Sequence, residues 1–170
     1  MWCAAASTGQ EPYTIGMCLR ERQHLMRGWD VEIVATDISA GALARAREAS
    51  YSDFEVERGL PHPMRQRYFT HADNRYVVQE ALRDMVRFLP LNLIERWPIA
   101  ESQDIIFMRN VLIYFDDATK VDILKRALRL LTDDGVLFLG STESPPQGFA
   151  GMQRTVFGPA WGYTKPRGAG

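Results

Sequence analysis

Residues 104–116 have the sequence Asp-Ile-Ile-Phe-Met-Arg-Asn-Val-Leu-Ile-Tyr-Phe-Asp, and this stretch decides the fold class. The run Ile105–Met108 is apolar without alternation, which predicts a strand buried on both faces of a parallel sheet. Arg109 and Asn110 then follow at the carboxyl end of that strand, where open α/β sheets bind their ligands. A guanidinium next to an amide therefore favours a ligand or a fixed acceptor at this point. A solvated Arg-Asn turn remains the alternative.

The first residues predict a strand, a glycine-bearing turn and a helix. Trp2–Ala6 is a short apolar strand, Ser7 and Thr8 are candidate N-caps, and the glycine permits a tight turn. The helix that follows extends from Tyr13 to about Leu25, with Ile15, Cys18, Leu19 and Arg22 on one face. The turn holds a single glycine, so a G-x-G-x-x-G pyrophosphate cradle is disfavoured. Glu11 would repel phosphate but suits a cationic ligand or a ribose, although acids are common in first helical turns for dipole reasons alone.

A second strand, residues 31–37, ends in Asp37. An acid at this position of a nucleotide-binding fold accepts hydrogen bonds from ribose hydroxyls. Alternatively, Asp37 or Ser39 caps the next helix, Ala40 to Ala49, and both roles are compatible if Ser39 is the cap. Asp37 lies farther from the glycine turn than the roughly 20 residues of the dinucleotide fingerprint, which is evidence against a nicotinamide cofactor.

The remaining chain continues the alternation of strands and helices. Residues 53–67 predict an irregular connection and residues 68–79 a hairpin. A third strand, residues 86–89, is followed by a loop that contains Asn92 and Leu93, where Asn92 either contacts a ligand or makes a turn. A helix capped by Asp116 or Asp117 extends to about Leu131, and Asp133-Asp134-Gly135 is expected to end it before a strand at residues 136–139. A hairpin around residues 158–159 completes the sheet. The pattern predicts a doubly wound, Rossmann-like α/β fold with a C-terminal antiparallel hairpin.

Composition limits the possible classes of protein. The chain has 170 residues and a net charge of −1, which fits one domain and gives no electrostatic signal for nucleic acid. Its apolar runs are shorter than the roughly 20 residues of a membrane span, so we expect no membrane insertion. Cys3 and Cys18 follow no metal or disulfide pattern and are expected to be reduced and buried in the core. The three histidines are scattered, so no metal is expected.

Taken in order, these motifs resemble those of one family, the CheR chemotaxis receptor methyltransferases, which use S-adenosylmethionine. The resemblance covers almost the whole chain, and its most specific blocks are Ser7–Tyr13 and Arg109–Phe115. The other matching stretches are Trp2–Ala6, Ala35–Ser39, Ala42-Leu43, Ala46-Arg47, Tyr51, Arg67–Phe69, Val86–Phe88, Asn92-Leu93, Asp104–Met108, Asp116, Leu130–Leu139 and Gly140–Ser144.

The resemblance implies transfer of a methyl group from S-adenosylmethionine to glutamate side chains of chemoreceptors, by a cytoplasmic enzyme of chemotaxis adaptation. It implies Arg109 and Tyr114 as catalytic residues, with Tyr114 near the transferred methyl group. It implies as cofactor-binding residues Glu11, Asp37, Asn92, Leu93, Arg109 and Asn110.

Two departures from the family pattern qualify this expectation. Gln10 stands where the family usually has the first acid of a Glu-Glu-Pro motif, so Glu11, beside Pro12, is taken as the binding residue. The family also carries a preceding helical domain, and the chain is expected to comprise only the methyltransferase domain, residues 1–165, with a loose tail at 166–170. A weakly active or non-catalytic module that binds S-adenosylmethionine or receptor is therefore the alternative function.

Overall fold

The computed structural model describes residues 1–166, which divide into two compact units. One unit joins Met1–Ala5 to the chain from Leu91 onward, and the other is Ala6–Pro90. The strands are β1 (Trp2–Ala4), β2 (Ile33–Asp37), β3 (Ser50–Tyr51), β4 (Phe69–Ala72), β5 (Arg75–Val78), β6 (Val86–Pro90), β7 (Gln103–Met108), β8 (Leu131–Leu139), β9 (Gln153–Phe157) and β10 (Ala160–Thr164). The helices are α1 (Gln10–Glu21), α2 (Ala40–Glu48), α3 (Asp53–Glu57), α4 (His62–Tyr68), α5 (Glu80–Arg83) and α6 (Asp117–Leu130). Two 3₁₀ turns are Gln23–Leu25 and Leu112–Tyr114.

The unit that contains β1 is built on a five-stranded sheet in the order β1-β7-β8-β10-β9. Its first three strands are parallel, and the C-terminal pair β9 and β10 is antiparallel, as the sequence predicted. Ile106 and Met108 of β7 are fully buried, whereas the expected burial of both faces is only partial at Ile105 and Phe107. The Phe107 ring instead stacks on Phe138 of β8, with ring centroids 5.2 Å apart.

The unit Ala6–Pro90 contains a parallel pair and a small separate sheet. β2 pairs with β6 from Ile33 opposite Val86 to Asp37 opposite Pro90. The small sheet has the antiparallel order β3-β5-β4, and the hairpin of β4 and β5 confirms the prediction for residues 68–79. Parallel strands that alternate with helices, followed by an antiparallel hairpin at the carboxyl end, confirm the predicted α/β class.

The buried face of α1 was predicted wrongly. Its buried residues are Pro12, Tyr13, Gly16 and Met17, and Cys18, expected in the core, is exposed. The Tyr13 ring decides this orientation, since its hydroxyl donates a hydrogen bond of 2.9 Å to the Ala46 carbonyl. The helix also begins at Gln10 and ends at Glu21, and only a 3₁₀ turn continues to Leu25.

The connection between residues 53 and 67 is helical rather than irregular. Ser52 accepts a hydrogen bond from the backbone N–H of Glu55, whose carboxylate accepts one from the backbone of Ser52, and this capping box begins α3. Pro63 lies in the first turn of α4, where its missing N–H costs no helical hydrogen bond. Two short helices, of which α3 has a side-chain cap, therefore replace most of the expected loop.

The end of α6 also differs from the prediction. The helix ends at Leu130 and β8 begins at once, so the Asp-Asp-Gly sequence at 133–135 belongs to the strand and does not terminate the helix. The register against β7 shifts there, from Leu131 opposite Gln103 to Val136 opposite Ile105. Asp116 is the N-cap, as expected, and its acceptance of the Thr119 N–H lowers the pKa of the Asp116 carboxyl.

Candidate functional site

The turn between β1 and α1 is held in a conformation that requires glycine. Gly9 has φ +93°, and a β-carbon there would lie 3.1 Å from both the Ala46 Cβ and the Tyr51 hydroxyl oxygen. The Tyr51 hydroxyl donates a hydrogen bond of 2.8 Å to the carbonyl of Thr8. Gly9, rather than Ser7 or Thr8, is the N-cap of α1. The expected tight turn is therefore present, and a tyrosine fixes its backbone.

Asp37 closes β2 and accepts hydrogen bonds from two backbone N–H groups. Its Oδ2 is 2.8 Å from the nitrogen of Ser7, and its Oδ1 is 2.9 Å from the nitrogen of Ser39. Ser39 is the N-cap of α2, because its hydroxyl accepts the N–H of Ala42 at 3.2 Å. The capping alternative therefore applies to Ser39. Asp37, which is partly buried, ties the end of β2 to the turn after β1.

Glu11 and Gln10 occupy the first turn of α1. Glu11 is partly buried at the helix N-terminus, where the helix dipole favours a carboxylate. Gln10 accepts a hydrogen bond of 2.7 Å at its side-chain oxygen from the hydroxyl of Thr8. Gln10, which replaces the first acid of the family motif, therefore stabilises the turn by a hydrogen bond to Thr8. Within this unit, Glu11 and Asp37 both border the residues of one turn, 7–9.

Two buried tyrosines, Tyr13 and Tyr51, pack against Gly9 in the turn of residues 7–9. Tyr13 is 2 % exposed, and burial raises the pKa of its phenol to about 12. Burial also raises the pKa of Tyr51 above its ordinary range. Both hydroxyls donate to backbone carbonyls, so both phenols must stay neutral for these hydrogen bonds to form.

In the other unit, Asn92 and Leu93 lie in a loop whose side chains bond locally. The Asn92 side chain accepts the N–H of Ile94 at 3.2 Å and donates to the Glu95 carboxylate at 3.1 Å. This is the turn that the sequence left open as the alternative to ligand contact. Leu93 is buried.

Arg126 of α6 holds this loop, a role that no local sequence pattern indicates. Its guanidinium donates hydrogen bonds to the carbonyls of Leu93 and Glu95. Its central carbon lies 4.3 Å from the centroid of the Trp97 ring, and Asp122 pairs with its Nε at 2.9 Å. The Trp97 indole N–H donates to the same Leu93 carbonyl at 3.0 Å. The backbone around Asn92 and Leu93 is thus fixed from α6.

The segment after β7 carries the predicted catalytic side chains. Arg109 and Asn110 are exposed, and Asn110 adopts a left-handed conformation with φ +59°. A 3₁₀ turn, Leu112–Tyr114, follows and leaves Tyr114 78 % exposed. Three predicted residues thus lie within six positions, and Arg109 and Tyr114 are open to solvent.

Glu143 is the second residue that the sequence did not assign. It is 5 % exposed, and its Oε2 accepts the backbone N–H of Asn110 at 2.6 Å and of Gly140 at 2.8 Å. Its Oε1 accepts the N–H of Ile113 at 3.3 Å. Glu143 lies in the stretch Gly140–Ser144, which resembles the family. A single acid among Ser and Thr residues does not indicate that its side chain is buried.

The fold is similar to that of two solved methyltransferase structures. The glycopeptide N-methyltransferase MtfA complexed with sinefungin aligns with 81 % of this chain and 41 % of its own, at TM-score 0.51 and 14 % identity. The CcbJ methyltransferase of Streptomyces caelestis aligns with 81 % of this chain and 43 % of its own, at TM-score 0.50 and 12 % identity. At these identities the likeness concerns the fold alone.

The chain belongs to the CheR methyltransferase family, because the model of the CheR methyltransferase SAM-binding domain matches residues 1–158. It is 40 % identical over 148 residues to the chemotaxis protein methyltransferase Cher2 of Pseudomonas putida, covering 85 % of this chain and 54 % of that protein. It is 38 % identical over 147 residues to the chemotaxis protein methyltransferase of Borreliella burgdorferi, covering 85 % and 52 %. The chain thus spans about half the length of these relatives.

Proposed function

We propose that this chain is the catalytic domain of a protein-glutamate O-methyltransferase that transfers a methyl group from S-adenosylmethionine to chemoreceptor glutamates. The observation that carries the proposal is 40 % identity, over 85 % of the chain, to a protein named as a chemotaxis protein methyltransferase. We also propose the cytoplasm as its location. Within residues 1–166 the structure has no helix that is long and apolar enough to cross a membrane.

The proposed cofactor-binding residues have the chemistry that S-adenosylmethionine requires. Two backbone N–H bonds occupy about half of the acceptor positions of the Asp37 carboxylate, so its remaining lone pairs suit ribose hydroxyls. Glu11 would attract the ammonium group of the cofactor's amino acid part. The full proposed set is Glu11, Asp37, Asn92, Leu93, Arg109 and Asn110.

The proposed reaction requires no general base. When bound, S-adenosylmethionine supplies a methyl group on a positively charged sulfur. A glutamate side chain has a reference pKa of about 4.3, so it is already an anionic nucleophile at neutral pH. Its oxygen forms the new bond to the methyl carbon as the sulfur–carbon bond breaks, and the sulfur leaves as a neutral thioether. Catalysis then consists of holding the two reactants in line.

Arg109 and Tyr114 are the residues proposed to hold the substrate carboxylate. Both are exposed in the segment that follows β7, so a protein side chain has access to them. A guanidinium binds a carboxylate with paired charge-assisted hydrogen bonds, and a phenol adds one further donor. Their proposed contribution is the orientation of the attacking oxygen.

The proposal is tested by incubating the 170-residue chain with methyl-tritiated S-adenosylmethionine and the cytoplasmic fragment of a methyl-accepting chemoreceptor. We expect label in the receptor that alkali releases as volatile methanol, because only a methyl ester is cleaved in this way. Base-stable label would contradict glutamate as the acceptor. Calorimetric binding of S-adenosylhomocysteine without transfer would leave the non-catalytic binding module as the function.

Variants at the exposed strand end separate binding from chemistry. Tyr114→Phe should slow methyl transfer about tenfold or more and leave cofactor affinity nearly unchanged, because lost positioning raises the barrier alone. Arg109→Ala should weaken both, since Arg109 is proposed to touch cofactor and substrate. Tyr163→Phe, in β10, is the matched control and should change neither. Unaltered transfer by Tyr114→Phe would remove Tyr114 from the mechanism.

A further inference from the structure

Glu143 fixes both ends of a four-residue segment, residues 110–113. Its Oε2 accepts the N–H of Asn110 at 2.6 Å, and its Oε1 accepts the N–H of Ile113 at 3.3 Å. Asn110 has φ +59°, in the left-handed region that asparagine enters more readily than most other non-glycine residues. One buried carboxylate therefore holds, at both of its ends, the backbone between the two predicted catalytic residues.

The residue that allows this contact is Gly140. Its N–H donates to Glu143 Oε2 at 2.8 Å, and the Glu143 N–H donates back to the Gly140 carbonyl at 2.9 Å. A β-carbon on Gly140 would lie 2.6 Å from Glu143 Oε2 and 3.1 Å from the backbone nitrogen of Asn110. A side chain here would therefore occupy the space in which the carboxylate meets the segment.

We propose that Glu143 is a positioning residue for methyl transfer, which acts by holding the backbone of residues 110–113. Arg109 immediately precedes the first anchored N–H, and Tyr114 immediately follows the second. The Glu143 carboxylate is buried and accepts three backbone N–H groups, so its role does not involve contact with the substrate. This inference rests on the proposed function, since it assigns to Glu143 the orientation of the side chains proposed to hold the substrate.

Glu143→Gln is the sharpest variant, because it preserves the volume and keeps one carbonyl oxygen. That oxygen can still accept from Asn110 and Gly140, but the new NH₂ group would face the N–H of Ile113 with no acceptor between them. The disturbance is thus directed at the turn that leads to Tyr114. Glu101→Gln makes the same chemical change at an exposed position and serves as the matched control.

Four quantities are measured on the full chain and both variants: kcat and KM for S-adenosylmethionine with the receptor fragment, the thermal midpoint, and amide hydrogen exchange by NMR. For Glu143→Gln we expect kcat to fall about tenfold or more, since small misplacements near the reacting atoms have large effects. KM should stay within about threefold, and exchange at Ile113 should rise about tenfold or more with Asn110 still protected. Glu101→Gln should match the wild type throughout.

The outcomes separate this inference from the proposed function. Unchanged exchange at Ile113, or a kcat within twofold of the wild type, would overturn the positioning role. A rise in KM with kcat unchanged would also overturn it, because that pattern reports uniform binding. If the wild-type chain transfers no methyl group, the proposed function fails. The exchange data and calorimetry with S-adenosylhomocysteine then still decide whether Glu143 holds the segment.

Discussion

Asp37 and Glu143 are both carboxylates that follow strands and accept backbone N–H groups, yet they differ in how much acceptor capacity the protein uses. Asp37 is partly buried and accepts two N–H groups, from Ser7 and Ser39. Glu143 is 5 % exposed and accepts three, from Asn110, Ile113 and Gly140. The first retains lone pairs at an accessible edge, whereas the second directs its oxygens inward.

This difference separates a residue that suits ligand binding from one that suits the fixing of a loop. A buried carboxylate is tolerated only when hydrogen bonds compensate its lost hydration, and three donors do this for Glu143. Asp37 needs less compensation because it keeps contact with solvent. Burial together with the number of internal donors therefore distinguishes the two roles better than residue type or position after a strand.

Glu143→Ala should have the largest effect on stability. It leaves three backbone N–H groups without their acceptor, and each unsatisfied buried group costs about 1–3 kcal/mol, partly relieved by water. We expect the free energy of unfolding to fall by about 3–5 kcal/mol, measured by urea denaturation, with Glu101→Ala as the exposed control. A loss below about 1 kcal/mol would contradict the contrast with Asp37.

Asp37→Ala should act mainly on cofactor affinity. If Asp37 accepts two ribose hydroxyls, calorimetry with S-adenosylhomocysteine should show binding weakened by about 1.5–3 kcal/mol, the range for hydrogen bonds to a charged group. Ser39→Ala is the control: it should cost about 1 kcal/mol of stability through the lost cap of α2, with affinity unchanged. If Asp37→Ala loses stability but binds S-adenosylhomocysteine normally, Asp37 fixes the backbone, as Glu143 does, and does not bind the cofactor.

The free energy of unfolding should also fall at alkaline pH, because of the buried Tyr13 phenol near this turn. The pKa of Tyr13 is raised by burial to about 12, above the value of about 10 in an unfolded chain, so stability is complete below pH 10 and is lost as the pH rises toward 12. Between pH 9 and 11 this amounts to about 1.4 kcal/mol. Urea titrations should show a smaller loss over this range in Tyr13→Phe. An identical pH slope would exclude Tyr13 as its source.

The sequence predicted the strands well because strand runs are local patterns. The cores of β2 and β7 follow from continuous apolar runs, and the turn after β1 follows from its glycine. The face of α1 was missed, since Ile15, Cys18 and Leu19 form as plausible an apolar stripe as Tyr13 and Met17. Only the distant acceptor at Ala46 decides between the two faces.

The candidate site was predictable for residues that lie at strand ends and unpredictable for those that hold them. The position of Asp37 was predictable because this residue ends β2. Glu143 contacts Asn110, and Arg126 contacts Leu93, each across 33 residues of sequence. Neither contact has a local sequence signature. Long-range hydrogen bonds of single charged side chains leave no periodic pattern, so only coordinates show them.

Because Arg126 contacts both Trp97 and the loop around Asn92, the intrinsic fluorescence of Trp97 can report on that loop. The Trp97 ring centroid lies 4.3 Å from the central carbon of the Arg126 guanidinium and 4.9 Å from the ring centroid of Trp2, so this indole emits in a defined electrostatic field. Fluorescence of Trp97 should therefore respond when a ligand shifts that loop, without any added label. Of the other three tryptophans, Trp29 and Trp161 can be replaced by Phe, which leaves Trp97 and its ring partner Trp2 as the emitting indoles. Loss of the response in Trp97→Phe would then assign it to Trp97.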